Sequence, residues 1–472
     1  MTAAQKYDFP NGFPTSATTE AAYDAADLIR AITAYKHFFP AVSGYAILDG
    51  NLAVGIVPNR VFGTMDTRPE QRGLTLNSDT PYASVVLDLS GGPLVVDVPA
   101  GPMLGAILNA DQSWIADMGI PGADRGEGGR YVILPRGADR QAYGAAVEGS
   151  HVVQATTRHV IAGLRAVPVE GDVNRAIALM KETRVTPLDP AAPWQTPEWI
   201  DLSGKPQDTS PNRVQGGTDH WRTLLRYLTE EGTTAADDAH LAELEVLGVR
   251  PGDPLPTDAR TTDILVRAAV EADAQLRVQS LADRRDDRVA WPDRCWEWVS
   301  LRPENASFEL DGRLDSTARE TWFYQAIATS PAMFRRHAGG GSVYWFDARD
   351  ASGAFLDGGS HYSLTVPLPV PAELFWSVTV YDARSRSQIA TDQGNAALRS
   401  LFELRDHLAG NEVTLFFGPT APERSEDRWI RTVAGAGWFV YFRIYGPTDE
   451  AFDGSWRPGD FVVQPATASA TA

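Results

Sequence analysis

The sequence predicts an α+β, mainly β fold: two jelly-roll-like antiparallel β-sandwich domains joined by a helical segment. Three observations carry this. Short apolar runs punctuated by Gly and Pro fill residues 45–135 and return from Trp291 onward, the texture of strands that follow one another through tight turns. Between them, the stretch from Trp221 to Asp287 places apolar residues at helical intervals. At 472 residues the chain is also too long for one ordinary core, so two are expected.

Residues 1–42 form a helical lead, with a helix from about Thr19 to Phe38, capped by Thr18 or Thr19 and ended by Pro40. The first sandwich, 43–186, contains YASVVLDL, GPLVVDVP, GAILNA, GRYVILPRG and HVVQATTRHVIAG, then a helix from about Asp172 to Thr183 whose Val173, Ile177 and Met180 share a face. Residues 187–290 hold a connector and the helical segment. PLDPAAPWQTPEWIDLSGKPQDTSP is too rich in breakers for a regular element, whereas WRTLLRYLTE, HLAELEVLG and TDILVRAAVEADAQLRVQSLADRRDD read as helices, the last capped by Thr261 or Thr262. The second sandwich, 291–464, runs SVYWFDARD, HYSLTVPL, FWSVTVYD, EVTLFFG and GWFVYFRIYGP, with one helix in TARETWFYQAIATSPAM. Residues 465–472, PATASATA, read as a disordered tail.

Composition removes several function classes. With 61 acidic against 42 basic side chains and a net charge of -19, the chain repels phosphate backbones, so no nucleic-acid partner is expected. Cys295 is the single cysteine, which excludes an intrachain disulfide and a cysteine metal cluster. No run of 18 apolar residues exists for a membrane span. The opening MTAAQKYDFPNGFP lacks a basic segment followed by an apolar one, so a cytoplasmic protein is expected. There is no GxSxG elbow, no GxxxxGK[ST] loop and no complete GxGxxG turn, and none of the eight histidines forms HxH, HxxxH or HExxH. No cofactor and no histidine-rich metal centre are expected. Oxygen ligands for Ca²⁺ or Mg²⁺ leave no local signature.

Polar constellations at strand ends are the candidate site. The stretch WSVTVYDARSRSQIATDQ, Trp376 to Gln393, is a strand that breaks into a dense polar rim. There Asp382 is a candidate proton-transfer group and Arg384 a group that steadies an anion, while Tyr381, Arg386 and Gln393 are candidate substrate contacts. Ordinary surface ion pairs explain the same run. In NSDTPY, Asn77, Asp79 and Tyr82 precede a strand; Asp79 reads as a general base or as a turn former folding back on the amide after Pro81. In DQSWIADMG, Asp111 and Asp117 flank Trp114, an acid pair beside an indole, or solvated acids beside a core Trp. Arg130 is a candidate carboxylate binder. Trp322 is a candidate aromatic wall beside Gln325, three residues on along a helix, or plain core packing.

LNSDTPYASVVLDLSGGPLVVDVP followed by GIPGADRGEGGRYVILPRG resembles the family of domain of unknown function 1254. FLDGGSHYSLTVP, FWSVTVYDARSRSQIATDQ, LFFGPTAPE, WIRTVAGAGWFVYFRIYGP and SWRPGDF are similar to its usual companion, domain of unknown function 1214. The resemblance spans roughly Ser43 to Val463 and implies the two sandwiches with a helical segment between them; it implies no chemistry. The residues themselves point to a cofactor-independent acid-base enzyme, by hydrolysis, elimination or isomerisation, on a small organic or glycosidic substrate in an aromatic cleft between the β domains. A non-catalytic carbohydrate or small-ligand binding protein, and an assembly protein pairing as a homo-oligomer, fit as well. The enzyme reading expects residues near 79 and near 382 to meet at one concavity.

Overall fold

The computed structural model describes residues 7–339 and 341–465; beyond Pro465 the tail lies outside the described residues. The fold is α+β, with helix and strand in nearly equal amounts. Among the described residues, no helix is long and apolar enough to cross a membrane.

The first helix, α1 (Ser16–Ala53), is capped by the Thr15 side chain and runs straight through Pro40, the residue expected to end it. A proline inside a helix removes one hydrogen bond and crowds the preceding turn, at a cost of about 3 kcal/mol. Burial offsets that cost. Most residues from Ala34 to Leu48 are buried, and Arg319 donates to the His37 carbonyl close to the break (2.8 Å). The second half of α1 therefore occupies the region where sheet was expected to begin. Gly44 and Gly50 allow the close approach: a Cβ on them would stand 1.8 Å from the Ala110 carbonyl oxygen and 2.2 Å from that of Asp208.

The first sandwich packs a six-stranded sheet on a four-stranded one. Across the larger sheet the order is Glu198–Asp201, Val61–Met65, Tyr82–Asp88, His159–Ala166, Met103–Asn109, Trp114–Gly119. The smaller runs Arg184–Pro187, Leu94–Val98, Gly129–Leu134, His151–Gln154. Strand alternation sends Val85, Leu87, Ala162, Leu164 and Ile107 inward against Val96, Tyr131 and Ile133. The same alternation turns Tyr82, Arg165 and Leu104 outward. The breaker-rich connector, expected to hold no regular element, supplies the edge strand Glu198–Asp201 parallel to Val61–Thr64, and Gln207–Asp208 parallel to Gln71–Arg72. Strands of two to four residues fit between prolines, too short for a period-2 pattern to register.

Helix α2 (Val173–Lys181) is capped by Asp172 and packs on the first sandwich. Helices α3 (Asp219–Glu231), α4 (Asp238–Val246) and α5 (Ala259–Leu281) pack around α1. The cap of α5 is Asp258, which accepts from the Thr261 amide (2.9 Å), rather than Thr261 or Thr262. The helix expected across TARETWFYQAIATSPAM divides into α6 (Ser316–Gln325) and a single turn, Pro331–Phe334, capped by Ser330, with the chain between them non-helical and Ala328 at φ 65°.

The second sandwich packs a five-stranded sheet, in the order Glu297–Trp298, Ser342–Asp347, Trp438–Pro447, Ala372–Asp382, Ala397–Arg399, on a four-stranded one, Trp429–Arg431, Glu412–Gly418, His361–Pro367, Val462–Gln464. Trp438, Val440, Phe442 and Ile444 point into its core, with Val378, Val380 and Leu364. In the sheets of the two sandwiches, among the described residues, three edge pairs are parallel: Val61 with Glu198, Tyr131 with His151 and Phe416 with Trp429. They depart from the all-antiparallel jelly-roll pattern expected. The two sandwiches are clasped through the segment 67–79: Tyr381 donates to the Leu76 carbonyl (2.9 Å), Arg443 to that of Thr75 (2.9 Å) and Gln388 to that of Thr67 (2.8 Å).

Candidate functional site

The outward faces of the two large sheets look at one another, and where they fail to meet they leave a cavity of about 220 Å³. Its floor is the first sandwich. Tyr82 and Ser84, Arg165, Gly163 and Ile161, Leu104, Ala106 and Leu108, and Asp117 line it from four adjacent strands. The small side chains at 84, 163 and 106 make the hollow: a Cβ on Gly163 would meet nothing within 4 Å. The roof is the second sandwich, where Tyr441, Arg443 and Tyr445 alternate along one strand beside Tyr344. Trp322, Ile327 and Met333 close one side and Met65, Leu74 and Leu76 another, so the lining is mostly apolar.

Two arginines dominate the polar end. Arg165 donates through Nε to Thr80 Oγ1 (2.8 Å) and through Nη2 to the Tyr445 hydroxyl (3.0 Å), and its guanidinium lies 4.9 Å from the centre of the Tyr82 ring. The Tyr445 hydroxyl in turn donates to Asp79 Oδ2 (3.1 Å), which also accepts from Ser377 Oγ (2.9 Å). A chain of hydrogen bonds thus runs from one sandwich into the other. Arg443 is bonded to Thr379 Oγ1 (3.1 Å) and sits among Tyr344, Tyr381 and Tyr441. Burial works against both cations, yet the surrounding tyrosines, with Asp79 beside Arg443, hold them firmly protonated. Burial also raises the Tyr82 hydroxyl, so it remains a donor.

Asp117 is the carboxyl in this cavity. It is buried, and its Oδ1 accepts from Ser330 Oγ (2.6 Å). Burial pushes it from 3.8 to about 6, against the lowering effect of the Ser330 bond. In the sheet it lies two strands from Gly163, roughly 10 Å, with Arg165 a further two residues along. Its expected partner Asp111 is elsewhere in role, folded onto Ser113 (N 3.0 Å, Oγ 2.6 Å).

Of the residues singled out in the sequence, Asn77, Tyr82 and Trp322 line the cavity. Asn77 donates to the Tyr82 hydroxyl (2.8 Å), and Trp322 is buried edge-on to Phe334. Asp79 stands behind the lining; the local turn is made by Asn77, whose Oδ1 accepts from the Asp79 amide (3.1 Å), rather than by Asp79. The stretch near 382 meets Asp79 at Ser377, not at Asp382. Asp382 accepts from the amides of Arg384 (2.9 Å) and Ser385 (2.8 Å), closing a turn outside the cavity. Exposed Arg384 donates to the Gly435 carbonyl (3.0 Å). Tyr381 belongs to the interdomain clasp. Arg386, fully buried at φ 59°, donates to the Tyr324 carbonyl (3.0 Å) and Gln215 Oε1 (2.5 Å) and stacks on Tyr324, fastening the helices to the second sandwich. Gln393 bonds the Trp429 carbonyl (2.8 Å) and the Arg431 amide (2.8 Å). Trp114 and Arg130 are exposed, Arg130 lying 4.0 Å from Asp97.

Arg165, Gly163, Arg443, Tyr344, Tyr441 and Tyr445 escaped the sequence reading. One signal was present: in WFVYFRIYGP and HVIAGLRA an arginine stands within a strand on the face opposite a continuous apolar one. Elsewhere among the described residues, ligand atoms of His159, Glu230 and Glu231 lie within 4.8 Å of one another. Glu231 is already satisfied there by Tyr45 (2.7 Å), the His159 ring (2.6 Å) and the His159 amide (2.9 Å).

Fold and cavity define a two-sandwich protein with a ligand-sized space between its sheets. The chain belongs to the paired DUF1254 and DUF1214 family: residues 59–187 match the model described as protein of unknown function (DUF1254), and residues 341–449 that described as protein of unknown function (DUF1214). The crystal structure of the VPA0106 protein from Vibrio parahaemolyticus is similar over 93% of this chain and 100% of its own, with a TM-score of 0.56 at 16% identity, a likeness of fold. An uncharacterised protein from Burkholderia cenocepacia aligns over 95% of this chain and 97% of its own, with a TM-score of 0.38 at 12% identity. No curated protein matches the chain.

Proposed function

We propose that the protein is a cofactor-independent acid-base enzyme acting on a small organic substrate held between the two sandwiches. The observation that carries this is one cavity lined by both a buried carboxyl raised to about 6 and a half-buried arginine, Arg165, with Tyr82 beside it. A carboxyl titrating near the working pH is matched to proton transfer. Arg165 and Tyr82 supply fixed donors for the negative charge that develops when a proton leaves carbon or a bond to oxygen breaks. Isomerisation and elimination need only these two parts. The mostly apolar lining favours an aromatic or aliphatic body over a sugar, whose hydroxyls would be left without partners.

Asp117→Asn tests the reading. Turnover of a substrate found by mass spectrometry is expected to fall 10²- to 10⁴-fold while ligand-induced thermal stabilisation persists. The same change alters stability with pH. Because the folded value of Asp117, about 6, lies above its ordinary 3.8, its stabilising contribution is complete below about pH 4 and lost as pH rises through 6. At pH 8 the ionised carboxylate costs roughly 3 kcal/mol, and Asn removes that cost. Asp117→Asn is thus expected to melt higher than wild type at pH 8 and alike at pH 4. Undiminished turnover in the variant overturns the proposal; ligand binding without product in wild type turns it into a binding protein.

A further inference from the structure

We infer that the ligand of this cavity is a small organic monocarboxylate, its carboxylate seated on the free edge of Arg165 and its apolar body lying over Gly163. The inference rests on the cavity being a working site and names what it takes.

The first argument is the unused valence at the polar end. Nε and Nη2 of Arg165 are engaged by Thr80, Tyr445 and, at 3.4 Å, Asn77. Nη1 has no acceptor among the described residues. The Tyr82 hydroxyl accepts from Asn77, and its own proton has none either. A planar oxyanion takes both donors at once, the geometry for which a guanidinium is suited.

The second argument is charge. Two guanidinium groups, Arg165 and Arg443, face the hollow, while the carboxyl group nearest them, Asp79, stands behind the lining and is already bonded to Tyr445 and Ser377. At the far end Asp117 has Arg335 beside it. The polar end therefore carries an excess of positive groups, which a ligand anion offsets and a neutral ligand does not.

The third argument is shape. Glycine inside a strand weakens it and commonly marks the approach of a ligand or another backbone. Gly163 faces no protein atom within 4 Å of its absent side chain, so the room is kept for something else. A cavity of about 150 Å³ holds benzene, and the space here, about 220 Å³, accepts a body of roughly eight to ten heavy atoms.

The experiment pairs acids with their neutral amides on the full-length protein: octanoate with octanamide, and phenylpropionate with its amide. Thermal shift and calorimetry are read at pH 6 for every ligand. Each acid is expected to bind at least tenfold more tightly than its amide. Gly163→Leu, which fills open space and leaves melting unchanged or raised, is expected to abolish acid binding. Equal affinity for acid and amide overturns the inference, as does retention of binding in Gly163→Leu. Tight binding of the acids together with undiminished turnover in Asp117→Asn leaves the inference standing and sinks the catalytic reading. Conversion of neutral compounds alone does the reverse.

Discussion

Replacing Gly44 with alanine is expected to destabilise the protein by about 3 kcal/mol or more, the upper end of what overpacking costs. The new Cβ would stand 1.8 Å from the Ala110 carbonyl oxygen, a backbone atom with no rotamer to escape into. Both sides are pinned: the Ala110 amide donates to Thr157 Oγ1 (2.9 Å), and Gln112 Nε2 holds the Pro40 carbonyl of α1 (2.9 Å). Either α1 or the turn after Asn109 must move, and Gln112 in that turn lines the cavity, so ligand affinity should fall with stability. Gly91→Ala serves as control, since its Cβ would meet nothing within 4 Å. Urea denaturation placing Gly44→Ala within 1 kcal/mol of that control, on the order of ordinary surface substitutions, would show that α1 does not pack this closely.

The second large effect is acid lability centred on His220. Its ring is fully buried, stacked on Tyr35 at 3.7 Å between centroids, and neither nitrogen has a hydrogen-bond partner among the described residues. Burial holds it down from 6.5 to about 3. Between those values the unfolded chain binds a proton that the native protein refuses, so stability is present above pH 6.5 and lost as pH falls. Roughly 2 kcal/mol disappears between pH 6.5 and 4.5 from this one group. His220→Phe keeps a ring against Tyr35 and removes the titration. Its unfolding free energy, followed over that range, should decline less steeply than that of wild type by about this amount. Parallel curves would mean that His220 finds a proton acceptor when charged.

How much of this was legible without coordinates depends on the range of the interaction. Strands such as Tyr82–Asp88 and Trp438–Pro447 announce themselves because alternation is set by neighbours two residues apart. The helix end at Pro40 was misplaced because the opposing term, burial of α1 on every side, is not local. The candidate Asp382 was attractive for its dense polar surroundings, yet those groups satisfy one another within a turn. Asp117 and Arg165 stood in plain view and lacked a reason to be joined.

What the sequence alone determined is most of the longer strands and helices, the family and which face of those strands enters a core. Which second face would meet another sheet was decided only by tertiary packing. Arg165 and Tyr445, 280 positions apart, sit on outward faces that read as ordinary surface within either domain. They come to line one cavity because two such faces close over Gly163, Ala106 and Ser84, side chains too small to fill the space between them.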